Sequence, residues 1–182
     1  MQEINEQALL QWWDIFKKGN PLVEVRLIGS NKTASGYFSD PYTLIQAIKP
    51  FSEDYNAYWV MNPIKPECYG REQKDKIVLK PKNTTKDNEI LCRDWVLIDV
   101  DCNRVAGVNA TSKEAQYAYA KAEQVENFLL AQGFNRPVKV FSGSGIHLYL
   151  RCALACNESN DALIRDFLLA LGMLFDDANC KI

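Results

Sequence analysis

The chain has 182 residues, 47% hydrophobic and 24% charged, with a formal net charge of −2. That length fits one domain, or one with a small appendage, and the composition excludes a disordered or low-complexity chain. The charge argues against a purely electrostatic nucleic-acid binder, and neither a secretory signal nor a run of ~18 apolar residues is present, so a soluble cytoplasmic protein without a membrane partner is expected.

The first element is an amphipathic helix over 4–18, with Leu9, Trp12 or Trp13, and Phe16 at helical spacing and Gly19 as its stop. Residues 22–29 alternate as a strand does. A turn is expected over Asn31–Gly36, then a short strand at Tyr37-Phe38. Asp40 as cap and Pro41 at the first helical position start a helix running to about Phe51. Residues 57–61 form another strand candidate. Residues 63–90 hold three prolines and many charges and read as a long irregular connection with one short helix; such loops are often functional. The stretch 65–93 carries eight basic residues against five acidic ones, a bias that usually marks a solvated face.

Residues 94–101 (DWVLIDVD) form a central strand, with Val96, Ile98 and Val100 on one face and Leu97, Asp99 and Asp101 on the other. Thr111 and Glu114 make a capping box for a long helix to about Gln132, with Ala118, Ala122, Val125 and Leu129 on its apolar face. Strands at 137–142 and 145–151 flank the turn Ser142-Gly143-Ser144-Gly145. A last helix covers about 159–175, and the tail Asn179–Ile182 begins another strand. The expected class is α+β, an α/β sandwich with a mixed sheet packed by helices.

Asp99 and Asp101, at i and i+2 on a strand, project from one face. Two hard carboxylates so placed can share or bridge divalent cations such as Mg²⁺ or Mn²⁺; they read equally as two solvated acids at a strand end. In Ser142-Gly-Ser-Gly-Ile-His147 the small residues let backbone N–H groups approach an anion, and the serines add hydroxyls. His147 shares its face with Gly145, Tyr149 and Arg151. The bland alternative is a tight turn beside a surface histidine. No Gly-Lys-Ser/Thr follows, so this is not a phosphate-loop signature, and no nucleophile elbow surrounds the serines. Cys152 and Cys156 are spaced C-x3-C, but the six cysteines form no paired knuckles and read as reduced structural thiols.

Taken together, Asp99-x-Asp101 and Ser142-Gly143-x-Gly145-x-His147 resemble the archaeo-eukaryotic primase superfamily, in particular primase domains of bacteriophages and mobile elements. Asn62-Pro63 after a strand, the run Asp99–Gly107 with Ala110, Thr111 and Glu114, and the end from Phe175 to Ile182 extend the likeness over about 35–182. The resemblance implies an RRM-like catalytic core and a DNA primase or primase-polymerase performing template-directed nucleotidyl transfer. It implies Mg²⁺ or Mn²⁺ on the catalytic pair Asp99 and Asp101. It gives Ser142, Gly143, Ser144, Gly145 and His147 to the triphosphate, His147 being also catalytic. Arg104 is a further nucleotide contact, and Arg151 a phosphate or template contact. Nucleoside triphosphates, a single-stranded DNA template and a helicase domain or protein are the implied partners.

The family pattern has a third metal-binding aspartate on a strand after the last helix, which would fall just after Ile182. The chain therefore reads as an N-terminal piece of a longer protein, with 1–182 one catalytic domain divided into 1–34 and a core at 35–182. Asp176 and Asp177 read as helix-end residues rather than that third acid. The alternatives are a non-catalytic primase-like module in replication initiation, and a metal-dependent nuclease using His147 as base.

Overall fold

The computed structural model describes residues 4–17, 19–30, 32–105 and 108–182. The chain divides into two compact units, Met1–Arg93 and Asp94–Ile182. The point between residues 34 and 35, where the sequence reading divides the chain into an N-terminal part and a core, lies within a strand, because residues 23–38 form a hairpin.

In the first unit, α1 (Glu6–Phe16) is capped by Asn5, whose side chain accepts the Ala8 N–H at 2.9 Å. Lys18, the expected end of this helix, lies outside the described residues. Strand β1 (Val23–Gly29) pairs antiparallel with β2 (Lys32–Phe38) along its whole length. The turn expected over 31–36 is thus a strand from Lys32 on, and Asn31 lies outside the described residues. Ala34, Ser35 and Gly36 have weak strand preference, and ladder pairing with Leu27, Arg26 and Val25 overrides it.

Helix α2 (Pro41–Ile48) follows, and a 3₁₀ turn carries the chain to Phe51. Strand β3 (Asn56–Trp59) adds beside β1, and the two-residue β4 (Val78–Leu79) beside β2, giving the order β3-β1-β2-β4. Val23, Val25, Leu27, Ala34 and Phe38 bury one face of this sheet with α1 and α2. On the other face Glu24 is fully buried. It accepts hydrogen bonds from the Ser35 hydroxyl at 2.7 Å, the Thr85 N–H at 2.9 Å and Arg26 at 3.0 Å. The long 63–90 connection is therefore anchored, and it carries two 3₁₀ turns besides β4.

In the second unit the order is β5 (Cys92–Cys102, of which Asp94 onward belongs to this unit), α3 (Ser112–Ala131), β6 (Val138–Phe141), β7 (Ile146–Ala155), α4 (Glu158–Phe175) and β8 (Cys180–Lys181). The capping box at Thr111 and Glu114 forms as expected. The spatial order β6-β7-β5-β8 is that of a split β-α-β fold, two β-α-β halves interleaved with the first and third strands central. The α+β class expected from the sequence holds, with the refinement that both four-stranded sheets are antiparallel. Ile98, Val100, Ile146, Leu148 and Leu150 bury one sheet face against Ala118, Ala122, Val125 and Leu129 of α3 and Leu171 of α4. The alternate residues of β5 and β7 are thereby turned to the opposite face.

Candidate functional site

Period-two alternation decides which side chains meet. Val96, Ile98 and Val100 are buried beneath β5, so Asp99 and Asp101 stand on the face away from α3 and α4. Asp99 keeps 57% of its side chain exposed and Asp101 42%. On β7, with Ile146, Leu148 and Leu150 buried, His147 and Tyr149 come up on the same side.

Strands β5 and β7 are neighbours, so the two motifs, some forty residues apart in sequence, become adjacent. Nε2 of His147 lies 3.4 Å from Oδ1 of Asp99. The backbone at Gly145 presses against β5: a Cβ there would stand 2.6 Å from the Val100 carbonyl oxygen and 2.8 Å from Oδ1 of Asp101. Only a residue without a side chain permits this approach. Arg104 places Nη2 3.2 Å from Oδ2 of Asp101, and its buried Nε has no partner among the described residues.

The turn is built by its own residues. Gly143 has φ +102°, a conformation that L side chains rarely adopt. The Ser142 N–H donates to the Gly145 carbonyl at 3.0 Å, and the Ser142 hydroxyl accepts the Gly145 N–H at 3.0 Å. The Ser144 hydroxyl accepts the Ala110 N–H at 3.5 Å, tying the turn to the approach of α3. Among the described residues no acceptor meets the N–H groups of Gly143 and Ser144. Two free donors in a turn with a left-handed residue are the ingredients of an anion-binding nest.

Half-burial raises the Asp99 carboxyl above the ordinary carboxylate value. The charge of Asp101 adds to this, and His147 and Arg104 oppose it. A carboxylate pair strained in this way gains from a cation. Arg151, the weaker sequence candidate, lays its guanidinium over the Trp95 ring at 5.7 Å. Ala106 and Gly107, part of the run that carried the resemblance, lie outside the described residues.

Strand β8 follows the last helix and pairs with β5, Lys181 opposite Asp101 and Cys180 opposite Cys102. Asp177 does not join the acid pair. It bonds Lys121 at 2.7 Å and caps the N–H groups of Asn179 and Cys180. Asp176 accepts the Ile182 N–H at 2.8 Å. Both are helix-end residues that hold β8 in place, as the sequence suggested. Among the described residues no group of three or more His, Cys, Asp or Glu is arranged to hold a metal ion.

Two side chains on this face carried no role in the sequence reading. Tyr149 stands 3.3 Å from His147 Nδ1, and Lys181 sits across from Asp101. Alternation along β7 places Tyr149 beside His147. Nothing local to residue 181 points to Asp101, because that juxtaposition is a matter of register.

No family model, curated protein or solved structure matches this chain.

Proposed function

We propose that this chain carries the nucleotide site of a primase or primase-polymerase, a metal-dependent nucleotidyl transferase of DNA replication. The observation that supports this reading is the convergence of the Asp99/Asp101 pair with the Ser142–His147 turn on one sheet face.

The donor set suits the implied ion. Mg²⁺ keeps several waters and takes one or two protein carboxylates together with substrate phosphates, so two partly exposed aspartates are an adequate protein share. Asp99 and Asp101 would hold it, or Mn²⁺. Once bound, such an ion neutralises charge developing on phosphate oxygens. The chain's own groups do the rest. The free N–H groups of Gly143 and Ser144 offer donors to a phosphate oxygen, and Ser142 closes the turn that carries them through its bond to Gly145. Arg104 offsets the charge of the acid pair at rest, and Arg104 and His147 both stand close enough to it to serve as phosphate donors. Catalysis in such a site comes from positioning and electrostatics.

The test is Mn²⁺-dependent binding of a labelled nucleoside triphosphate. Asp99→Ala and His147→Ala should each weaken binding at least tenfold, as loss of a charge-assisted contact does. Binding that ignores the metal or both variants would sink the reading.

A non-catalytic nucleotide-binding module is the second reading, favoured by one observation: among the described residues two carboxylates stand here without a third. The register of β8 bears on it. Carried past Ile182, the ladder would set the next residue across from Asp99. Primer synthesis measured on a chain extended beyond Ile182 separates the two, since a module without catalysis stays inactive when extended.

A further inference from the structure

We propose that Tyr149 is a positioning residue that holds His147 in the Nε2–H tautomer, aiming that N–H across the face occupied by Asp99; its consequence for nucleotide binding rests on the function proposed above. His147 is the single histidine of the chain. Its ring is bracketed on both nitrogens, by Asp99 Oδ1 3.4 Å from Nε2 and by the Tyr149 hydroxyl 3.3 Å from Nδ1. The two rings meet edge to face, at 5.9 Å between centroids and 80° between planes.

The tautomer follows from what each neighbour can do. An ionised carboxylate only accepts, and a neutral imidazole has one donor and one acceptor nitrogen. The nitrogen facing Asp99 is therefore the donor, which leaves Nδ1 as acceptor. A phenol can supply the proton that Nδ1 needs. The reverse tautomer would set a lone pair of Nε2 against the carboxylate. Burial raises the Tyr149 hydroxyl above its ordinary value of 10.0, and the charge of Asp99 adds to this, so the group remains an O–H donor. Half-burial of the phenol on β7, with Val138 as its ladder partner on β6, fixes where that hydroxyl stands. The arrangement follows the general rule that the partner of one ring nitrogen decides what the other can do.

The consequence is functional. An Nε2–H already formed and aimed over the acid pair is the donor that an arriving phosphate oxygen would take. Without the hydroxyl, the ring can rotate or exchange tautomers, and a bound phosphate would meet a donor only part of the time.

The experiment is long-range ¹H–¹⁵N NMR of the imidazole, at a pH well above the ordinary histidine range, on the full chain and on Tyr149→Phe. With one histidine the spectrum needs no assignment. The full chain should show the Nε2–H pattern, with the Nδ1 resonance shifted as a hydrogen-bonded acceptor. In Tyr149→Phe that shift should disappear, while the amide spectrum stays folded because phenylalanine keeps the ring. An Nδ1–H pattern in the full chain, or unchanged nitrogen resonances in Tyr149→Phe, overturns the assignment. In the second arm, Tyr149→Phe should weaken nucleoside triphosphate binding about fivefold, the worth of one neutral hydrogen bond, and leave binding of Mn²⁺ alone unchanged. If the resonances move as expected but the full chain binds no nucleotide, the tautomer assignment stands and the primase reading fails. If nucleotide binds equally to both proteins with unmoved resonances, the reverse holds.

Discussion

At Gly145 the conformation of one residue decides whether two motifs can touch. A methyl group there would lie 2.6 Å from a main-chain oxygen and 2.8 Å from the Asp101 carboxylate, and the first of these cannot swing aside. Gly145→Ala should therefore push the turn away from β5. Overpacking of this kind costs about 1–3 kcal/mol. Metal-dependent nucleotide binding should fall with it, because the nest and the acid pair would separate. Gly70→Ala is the matched control: nothing lies within 4 Å of a Cβ there, and a change under about 0.5 kcal/mol is expected. Urea unfolding and nucleotide titration of both variants check this; equal behaviour would mean that the close approach is not needed. Much of this site is written in local sequence. Small residues at 142–145, acids at i and i+2 and an apolar set on the alternate positions give the turn, the pair and their facing without any knowledge of the fold. What local sequence does not hold is who sits beside whom. The Ser142 hydroxyl accepts a bond inside the turn while its own O–H stays free to donate, and the imidazole is bracketed by Asp99 and Tyr149.

The elements were legible in proportion to how much of their stability is local. Helix α3 carries its own capping box and apolar stripe, and β5 its own alternation, so both lie where the pattern puts them. Strand β2 is the counter-example. Its Ala-Ser-Gly centre reads as a turn, and it is a strand because β1 pairs with it and because Gly36 lets the Lys76 carbonyl come closer than any Cβ would permit. Strand β8, expected as a strand beginning over Asn179–Ile182, has two residues and is held by the Asp177 caps. Its register can be tested chemically. The Asn103 N–H donates to the Asn179 carbonyl at 2.7 Å, so 103/179 is a hydrogen-bonded pair and 102/180 the next, non-bonded one. Opposed Cα atoms at such positions are about 4.5 Å apart, within the span a disulfide bridges. Cys102 and Cys180 are both buried and free. An aromatic disulfide reagent should convert the two thiols to one disulfide, itself leaving as two thiols. The reaction should be slow, since burial and then the Asp177 charge push the Cys180 thiol up and keep thiolate scarce. Peptide mapping should find the 102–180 link; a link from Cys180 to Cys152 instead would contradict the ladder.

Across the whole molecule, each unit is built on its own core, and ionisable groups secure the periphery of both. In the first unit, Asp40 caps α2 through the Thr43 N–H and hydroxyl, and Glu89 accepts the Lys86 N–H and pairs with Arg71. In the second, Glu126 is buried to 7% exposure between Lys139 and Arg136, and Asp177 is drawn down to about 2, by Lys121 first and then by two backbone N–H groups. All four carboxyls lie below their ordinary values in the folded chain. A depressed acid contributes stability that is full above its unfolded value and is lost as pH falls through its folded one. Stability should therefore decline from about pH 4.5 downward and go on falling toward pH 2, where Asp177 protonates. The opposite sign holds for groups raised by burial: Cys68, Cys152 and Cys180 from 9.0, and Tyr37 and Tyr149 from 10.0. Their contribution is full below those values and is lost as pH rises through the higher folded ones. The expected profile is a plateau through neutrality with a fall on each side. Glu126→Gln isolates one contributor. It should cost about 1–2 kcal/mol near neutrality, since both cations can turn to solvent when the buried acceptor loses its charge. It should also flatten the upper part of the acid limb. Hydrogen exchange should place that loss in α3 and β6, which Glu126 joins through Lys139, and leave protection of β1 and β2 as it was. A loss spread evenly over both sheets would show that the two cores unfold as one.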